Sequence, residues 1–156
     1  MATTNPVPLC QNTDNPVNTG ASIFTRASSP IPVVPEMSVA IVGSRDFPNL
    51  GLVRTIVRAL PAGTRVISGG ARGVDSVAEV TARERGLEIR IFPADWARYG
   101  RSAGPLRNAH IVRHADQILA FWTGKSRGTL DTLRQARDAG KMTWVINPDG
   151  SFRTFS

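Results

Sequence analysis

The sequence predicts an α/β fold: a single Rossmann-like domain with a five-stranded, mostly parallel sheet, helices on both faces and a flexible arm ahead of it. Three observations carry this. Short apolar runs alternate with stretches of helical period. The runs are far enough apart for crossover connections, which parallel strands require. Two glycine clusters stand where a strand gives way to a helix. At 156 residues the chain has room for one domain.

Residues 1–36 form the arm. They hold six of the eleven prolines, one of the fourteen glycines and three charges, Asp14, Arg26 and Glu36. With no helical or strand period, such a segment cannot bury enough apolar surface to offset its ordering entropy. Ile23, Phe24 and the apolar cluster at 31–34 leave open an arm that docks on a partner or a neighbouring subunit. Cys10 is the single cysteine, so neither an internal disulfide nor a Cys/His zinc site is available, and it reads as an incidental thiol.

Residues 37–156 form the domain. Apolar runs fall at 39–42, 66–67, 87–92, 118–122 and 142–146, short and near-continuous, as in strands buried on both faces. Val53, Ile56, Val57 and Leu60 follow i, i+3, i+4, i+7, and Pro61 stops that helix. Val74, Val77, Ala78 and Thr81 repeat the spacing, with Gly86 as the cap. Pro105 suits the first turn of a third helix reaching about Ala115, and a fourth spans about 129–139, closed by Gly140. His110 and His114 stand four apart on the third helix without a third ligand, so they read as surface or packing residues and no metal is expected. Asp75 reads as a capping carboxylate with a ribose contact as the alternative. Asp116 opens the fourth strand at a turn.

The chain carries 19 Lys and Arg against 12 Asp and Glu, a net +7 with pI near 11.2, and residues 37–156 alone carry +8. In an open parallel sheet, ligands bind beyond the carboxyl ends of the strands. The four loops there, 43–47, 68–73, 93–107 and 122–129, hold Arg45, Arg72, Arg98, Arg101, Arg107, Lys125 and Arg127 against Asp46 and Asp95. That excess implies an anionic ligand. Ser68-Gly69-Gly70-Ala71-Arg72-Gly73 follows a strand and opens a helix, letting backbone amides approach a phosphate. Thr123-Gly124-Lys125-Ser126-Arg127-Gly128-Thr129 repeats the arrangement and adds hydroxyls and cations. Neither is a Walker A loop or the G-x-G-x-x-G fingerprint, and no cofactor is expected; a tight turn is the structural alternative for each cluster alone.

The connection from 93 to 105 is longer than such units need. Trp96 or Tyr99 can stack on a base or sugar, and Arg107 can clamp a phosphate; for Trp96 a loop anchor on the sheet edge stands as the equal alternative. The candidate ligand-binding set is therefore Gly43, Ser44, Arg45, Ser68, Gly69, Gly70, Arg72, Gly73, Asp75, Asp95, Trp96, Tyr99, Arg101, Arg107, Asn108, Gly124, Lys125, Ser126, Arg127, Gly128 and Thr129. No apolar run approaches the roughly 18 residues of a membrane span, and no basic region with an apolar stretch marks a secretory signal. A soluble, cytoplasmic protein without a membrane partner is the expectation.

Val39-Ala40-Ile41-Val42-Gly43-Ser44-Arg45, the loop Ser68 to Asp75, and Arg107-Asn108 followed by Ala115-Asp116-Gln117-Ile118-Leu119-Ala120-Phe121 resemble the SLOG superfamily. This groups the lonely-guy phosphoribohydrolases, the DNA-processing protein A (DprA/Smf) family and nucleotide-binding sensor domains. The resemblance covers about residues 38–147. Phe92-Pro93-Ala94-Asp95-Trp96, Tyr99-Gly100-Arg101 and Ala103-Gly104-Pro105-Leu106-Arg107-Asn108 look like its YspA-type subgroup. The resemblance implies binding of a phosphorylated nucleotide derivative, with ADP-ribose-like molecules foremost, and a homo-oligomer. Two alternatives come with it: N-glycosidic cleavage of a nucleotide, and DprA-like binding of single-stranded DNA. The lonely-guy enzymes use a glutamate where this chain has Thr132, which cannot act as a carboxylate. That departure favours binding over hydrolysis. Arg107, matching the family's arginine, and Asp131, one place from the missing glutamate, are the catalytic candidates, with Asp75 and Asp95 as substitutes from another geometry.

Overall fold

The computed structural model describes residues 31–33 and 36–156. Six strands form one sheet: β1 (Ser38–Gly43), β2 (Arg65–Ser68), β3 (Glu88–Ile91), β4 (Gln117–Phe121), β5 (Met142–Ile146) and β6 (Phe152–Thr154). Their order is β3-β2-β1-β4-β5-β6, parallel except for β6. Side chains alternate along the central strands. Val39 and Ile41 face a core shared with α1 (Leu50–Ala59) and α2 (Val74–Glu84). Ala40 and Val42 face one shared with α4 (Ala103–His114) and α5 (Arg127–Asp138). The period of two thus sorts one apolar run into two cores.

Two strand expectations are corrected. The sheet has six strands rather than five, because 147–151 turn the chain back and β6 pairs antiparallel with β5; Asn147 N–H donates to Ser151 O (2.8 Å) and Gly150 takes φ +87°. Three residues with one apolar side chain gave no strand signal. β3 is not buried on both faces: Glu88, Arg90 and Ile91 are exposed, because it has β2 as its single neighbour and charged side chains cover a free edge.

Helices α1 and α5 start earlier than their apolar residues do, because capping side chains set their ends. Asn49 Oδ1 accepts from Leu52 N–H (3.1 Å), and Ser126 Oγ from Thr129 N–H (3.3 Å). The long 93–105 connection is ordered into a turn of helix, α3 (Trp96–Tyr99), and a 3-10 turn (Gly100–Ser102). His110 and His114 pack on Phe92, with ring centroids at 6.0 and 4.8 Å. Among the described residues no group of His, Cys, Asp or Glu could hold a metal, and no helix is long and apolar enough to cross a membrane.

Cys10, Ile23, Phe24 and most of the arm lie outside the described residues. Its end is built into the domain. Ile31 is 1% exposed in the α1/α2 core, with Val33 packed against it. The Gln117 amide, in the orientation that satisfies both neighbours, donates to Pro32 O (3.2 Å) and accepts from Trp144 Nε1–H (2.7 Å). Ile31→Ala should therefore cost about 2–4 kcal/mol in urea unfolding; an unchanged midpoint would show that this segment does not belong to the core.

Candidate functional site

Between β1 and β4 the strand order reverses. The chain leaving β1 crosses towards β2 and the chain leaving β4 crosses towards β5, so a crevice opens beyond Gly43 and Phe121. A cavity of about 640 Å³ occupies it, within the range of small-molecule sites. Val42, Gly43 and Ile111 are among its apolar lining; Arg45, Arg107, Arg127, Asp75, Asn108 and Asp131 bring charge and polarity. A smaller cavity of about 270 Å³ adjoins it over Gly69, Gly70, Arg72, Pro93 and Ala94, and the two share Arg45, Ala71, Trp96 and Arg107.

The glycine loop is held from below by a carboxylate. Asp75 Oδ2 accepts from Gly69 N–H and Ala71 N–H, both at 3.2 Å. Asp75 therefore does not cap its own helix; Gly73 is the N-cap, with no side-chain bond. Arg107 grips the same loop, donating to Gly69 O (2.6 Å). A side chain at position 69 would run into the Arg107 guanidinium and the Asp75 carboxylate, and at 73 a Cβ would fall on the Arg45 carbonyl with φ at +81°. Position 73 admits glycine alone, whereas a side chain at 69 would have to displace the Arg107 guanidinium.

On the opposite wall, Arg107 Nε–H donates to Asn108 Oδ1 (3.0 Å), which fixes the amide. Asn108 Nδ2–H then donates to Asp131 Oδ2 (2.9 Å) and Gly128 O (3.3 Å), and Gln135 Nε2–H reaches the same Asp131 oxygen (2.8 Å). Thr132 also lines the cavity, but its hydroxyl donates to Gly128 O (3.2 Å) in its own helix. The carboxylate of this wall is Asp131.

Electrostatics follow burial. Asp75 is pushed up to about 6, chiefly because burial penalises its charged form; the Ala71 and Gly69 amides and Arg107 oppose this, and Glu79 adds to it. Burial draws the Arg107 guanidinium below its ordinary value, Arg45 adds to that, and Asp75 opposes it.

Many of the residues expected from sequence come together. Gly43, Arg45, Asp75, Trp96, Arg107, Asn108, Ser126, Arg127, Gly128 and Thr129 line the larger cavity, and Gly69, Gly70 and Arg72 the smaller. Others do not reach either. Ser44 is buried, its amide donating to Phe121 O (3.1 Å), and Ser68 Oγ–H donates to Glu79 (2.6 Å). Gly73 serves the turn. Asp95 caps α3 through Arg98 N–H (3.1 Å), while Tyr99 and Arg101 are exposed beyond the lining. Gly124 and Lys125 stand exposed before α5. The lining also holds Asp46, Ala71, Gly104, Pro105 and Ile111, which the candidate set left out although all but Ile111 lie in the rim loops. Positions 104, 107, 108 and 111 are one helical face, so the period of α4 carried the signal for Ile111.

The strand order, the glycine loop and the cavity at the switch point define a Rossmann-like domain of the SLOG superfamily, of the kind found in DNA-processing proteins. The family model for DNA recombination-mediator protein A matches residues 19–99, and the chain belongs to that family. Gene 61 protein of Mycobacterium phage D29 is 43% identical over 86 residues, which cover 51% of this chain and 69% of that protein. DNA processing protein A from Streptococcus pneumoniae superposes with a TM-score of 0.55 at 18% identity, over 70% of this chain and 50% of that one. The Helicobacter pylori protein, described with a single-stranded DNA binding mode, gives 0.53 at 21% identity, over 72% of this chain and 66% of that one. At these identities the two structures establish the fold, and the chain spans half to two thirds of their lengths.

Asp75 makes stability depend on pH. Its native value, about 6, lies above the ordinary carboxylate value near 3.9, so between these pH values the folded state keeps a proton the unfolded chain has released. Its contribution is complete below pH ~4 and is lost as pH rises through ~6. Against Asp75→Asn, the wild type should lose on the order of 3 kcal/mol of unfolding free energy from pH ~4 to ~7. Parallel pH profiles in chemical denaturation would refute this.

Proposed function

We propose that the protein binds single-stranded DNA at this rim, with one nucleotide seated in the larger cavity. The observation that carries the reading is the convergence of Arg45, Arg107 and Arg127 on one concave cavity at the switch point, beside the start of α5 and an exposed tryptophan. Guanidinium groups and helix-start amides attract phosphates, and Trp96 offers a stacking surface that tolerates any base. Arg72, in the adjoining cavity, extends the cationic track. Family membership and the Helicobacter pylori relative support the same reading.

A second reading is a free nucleotide derivative, ADP-ribose-like in chemistry, which the subgroup resemblance brings in. What favours it is the depth of the site: Asp75, Asn108 and Thr129 line the cavity and are buried, as in a pocket for a whole small molecule. Cleavage of an N-glycosidic bond by Arg107 and Asp131 is the enzymatic form of that reading, tested by release of free base.

Fluorescence anisotropy with a single strand of roughly 20 nucleotides and its duplex, at two salt concentrations, tests the proposal. The single strand should bind tighter, and Arg45→Ala and Arg127→Ala should each lower the salt slope by about 0.7. Both side chains are exposed, so their loss spares the fold, whereas Arg107 also holds Gly69. Trp96→Ala should cost about 1–3 kcal/mol of binding. No binding at low salt, with calorimetric binding of ADP-ribose instead, would replace the first reading by the second.

A further inference from the structure

We infer that Asp131 reads the base of the bound nucleotide, favouring guanine and disfavouring thymine. The inference rests on the proposal above that a nucleotide occupies the cavity.

Of the three carboxylates on the lining, Asp75 is buried with the Gly69 and Ala71 amides on it, and Asp46 is exposed at the rim with no partner holding it in place among the described residues. Asp131 differs from both. Its Oδ2 takes two neutral donors, Asn108 Nδ2–H at 2.9 Å and Gln135 Nε2–H at 2.8 Å. Among the described residues nothing bonds to its Oδ1. The ion pairs of the described residues, Arg58–Glu84, Arg65–Glu88 and Arg137–Asp138, all lie elsewhere, so no arginine of the cavity neutralises this carboxylate. The orientation is fixed rather than adaptable. Arg107 sets the Asn108 amide, Asn108 sets Asp131, and Gln135 is tied to Pro105 O (3.2 Å).

A carboxylate oxygen held without a partner in a cavity of guanidinium groups selects a ligand with two poles. One end must be anionic, for the arginines; the other must offer hydrogen-bond donors. An internal nucleotide of a DNA strand carries donors on its base alone, and an unpaired base exposes its Watson–Crick edge. Guanine presents N1–H and the N2 amine side by side, with no acceptor between them. Adenine and cytosine present one amine beside a ring acceptor. Thymine N3–H is flanked by two carbonyl oxygens, which repel a carboxylate.

Strands of thymidine carrying one central guest base test this. With the wild type, a guanine guest should bind roughly fivefold or more tighter than thymine, with adenine and cytosine between. In Asp131→Ala the guests should become equal. In Asp131→Asn the side chain can still accept from Asn108 and Gln135 while turning an amine towards the base, so the thymine penalty should shrink or invert. A role confined to joining α4 and α5 would lower the unfolding midpoint and weaken all guests alike. Equal affinity for the four guests in the wild type, or a preference that survives in Asp131→Ala, overturns the assignment. Parallel titrations with free 5′-mononucleotides separate it from the reading it rests on. A guanine preference among mononucleotides without strand binding keeps Asp131 and removes single-stranded DNA; no binding of either removes both.

Discussion

The site exists because parallel strands need crossovers of one hand. From the centre of the sheet, β1 sends its chain towards β2 and β4 sends its chain towards β5, so no connection covers the space between Gly43 and Phe121. Among the described residues, both cavities and the arginines that line them gather at that gap. The glycine loop after β2 and the start of α5 after β4 flank it, and α4 lays one face along its side. The ends of strands are where backbone amides run out of sheet partners, so the same constraint that opens the crevice lines it with donors.

Within the gap, three arginines and three carboxylates share one lining. Arg107 stands between the walls, bonding the glycine loop through Gly69 O and the α4/α5 wall through Asn108. One side chain therefore couples the two walls, and it does so without pairing to a carboxylate within ion-pair distance. A full ion pair would quench the field that draws an anion; a guanidinium fastened by a carbonyl and an amide oxygen stays fixed yet keeps its charge for a ligand. The cost is desolvation, visible in the lowered Arg107 and raised Asp75 values.

The fold was legible in the sequence because its signals are local. Strand runs, the i, i+3, i+4, i+7 pattern of Val53 to Leu60, and terminators such as Pro61, Gly86 and Gly140 depend on near neighbours. What escaped was set by tertiary position. β3 reads like a buried strand, yet it falls at the edge, and nothing within its four residues says so. The Ile31–Val33 segment sits in a proline-rich arm by composition, yet Ile31 fills a space beside α1 that exists only once the sheet is assembled. Of the basic positions on the rim, Arg45, Arg72, Arg107 and Arg127 line the cavities while Arg101 and Lys125 do not; Ser44, Ser68 and Asp95 share the same loops, yet Ser44 is buried with its amide on Phe121 O, Ser68 bonds Glu79 and Asp95 caps α3. Proximity in sequence to a glycine loop does not separate a side chain that supports the loop from one that faces the ligand.

Trp96 carries two readings that do not exclude one another. The sequence left it as either a stacking surface or an anchor on the sheet edge. In the structure its ring lies 3.4 Å from where a Cβ on Gly104 would stand, so the ring tip stands beside the start of α4. Yet the residue is 54% exposed, and the short helix that carries it buries no side chain at all. A helix of four residues has little stability of its own; this one is held by its Asp95 cap and by that ring contact. A large aromatic surface left open at the junction of two cavities that share Arg45 and Arg107 exceeds what anchoring alone requires, since an anchor gains most by full burial. One edge of the ring stands beside Gly104, and the open remainder is surface available for stacking.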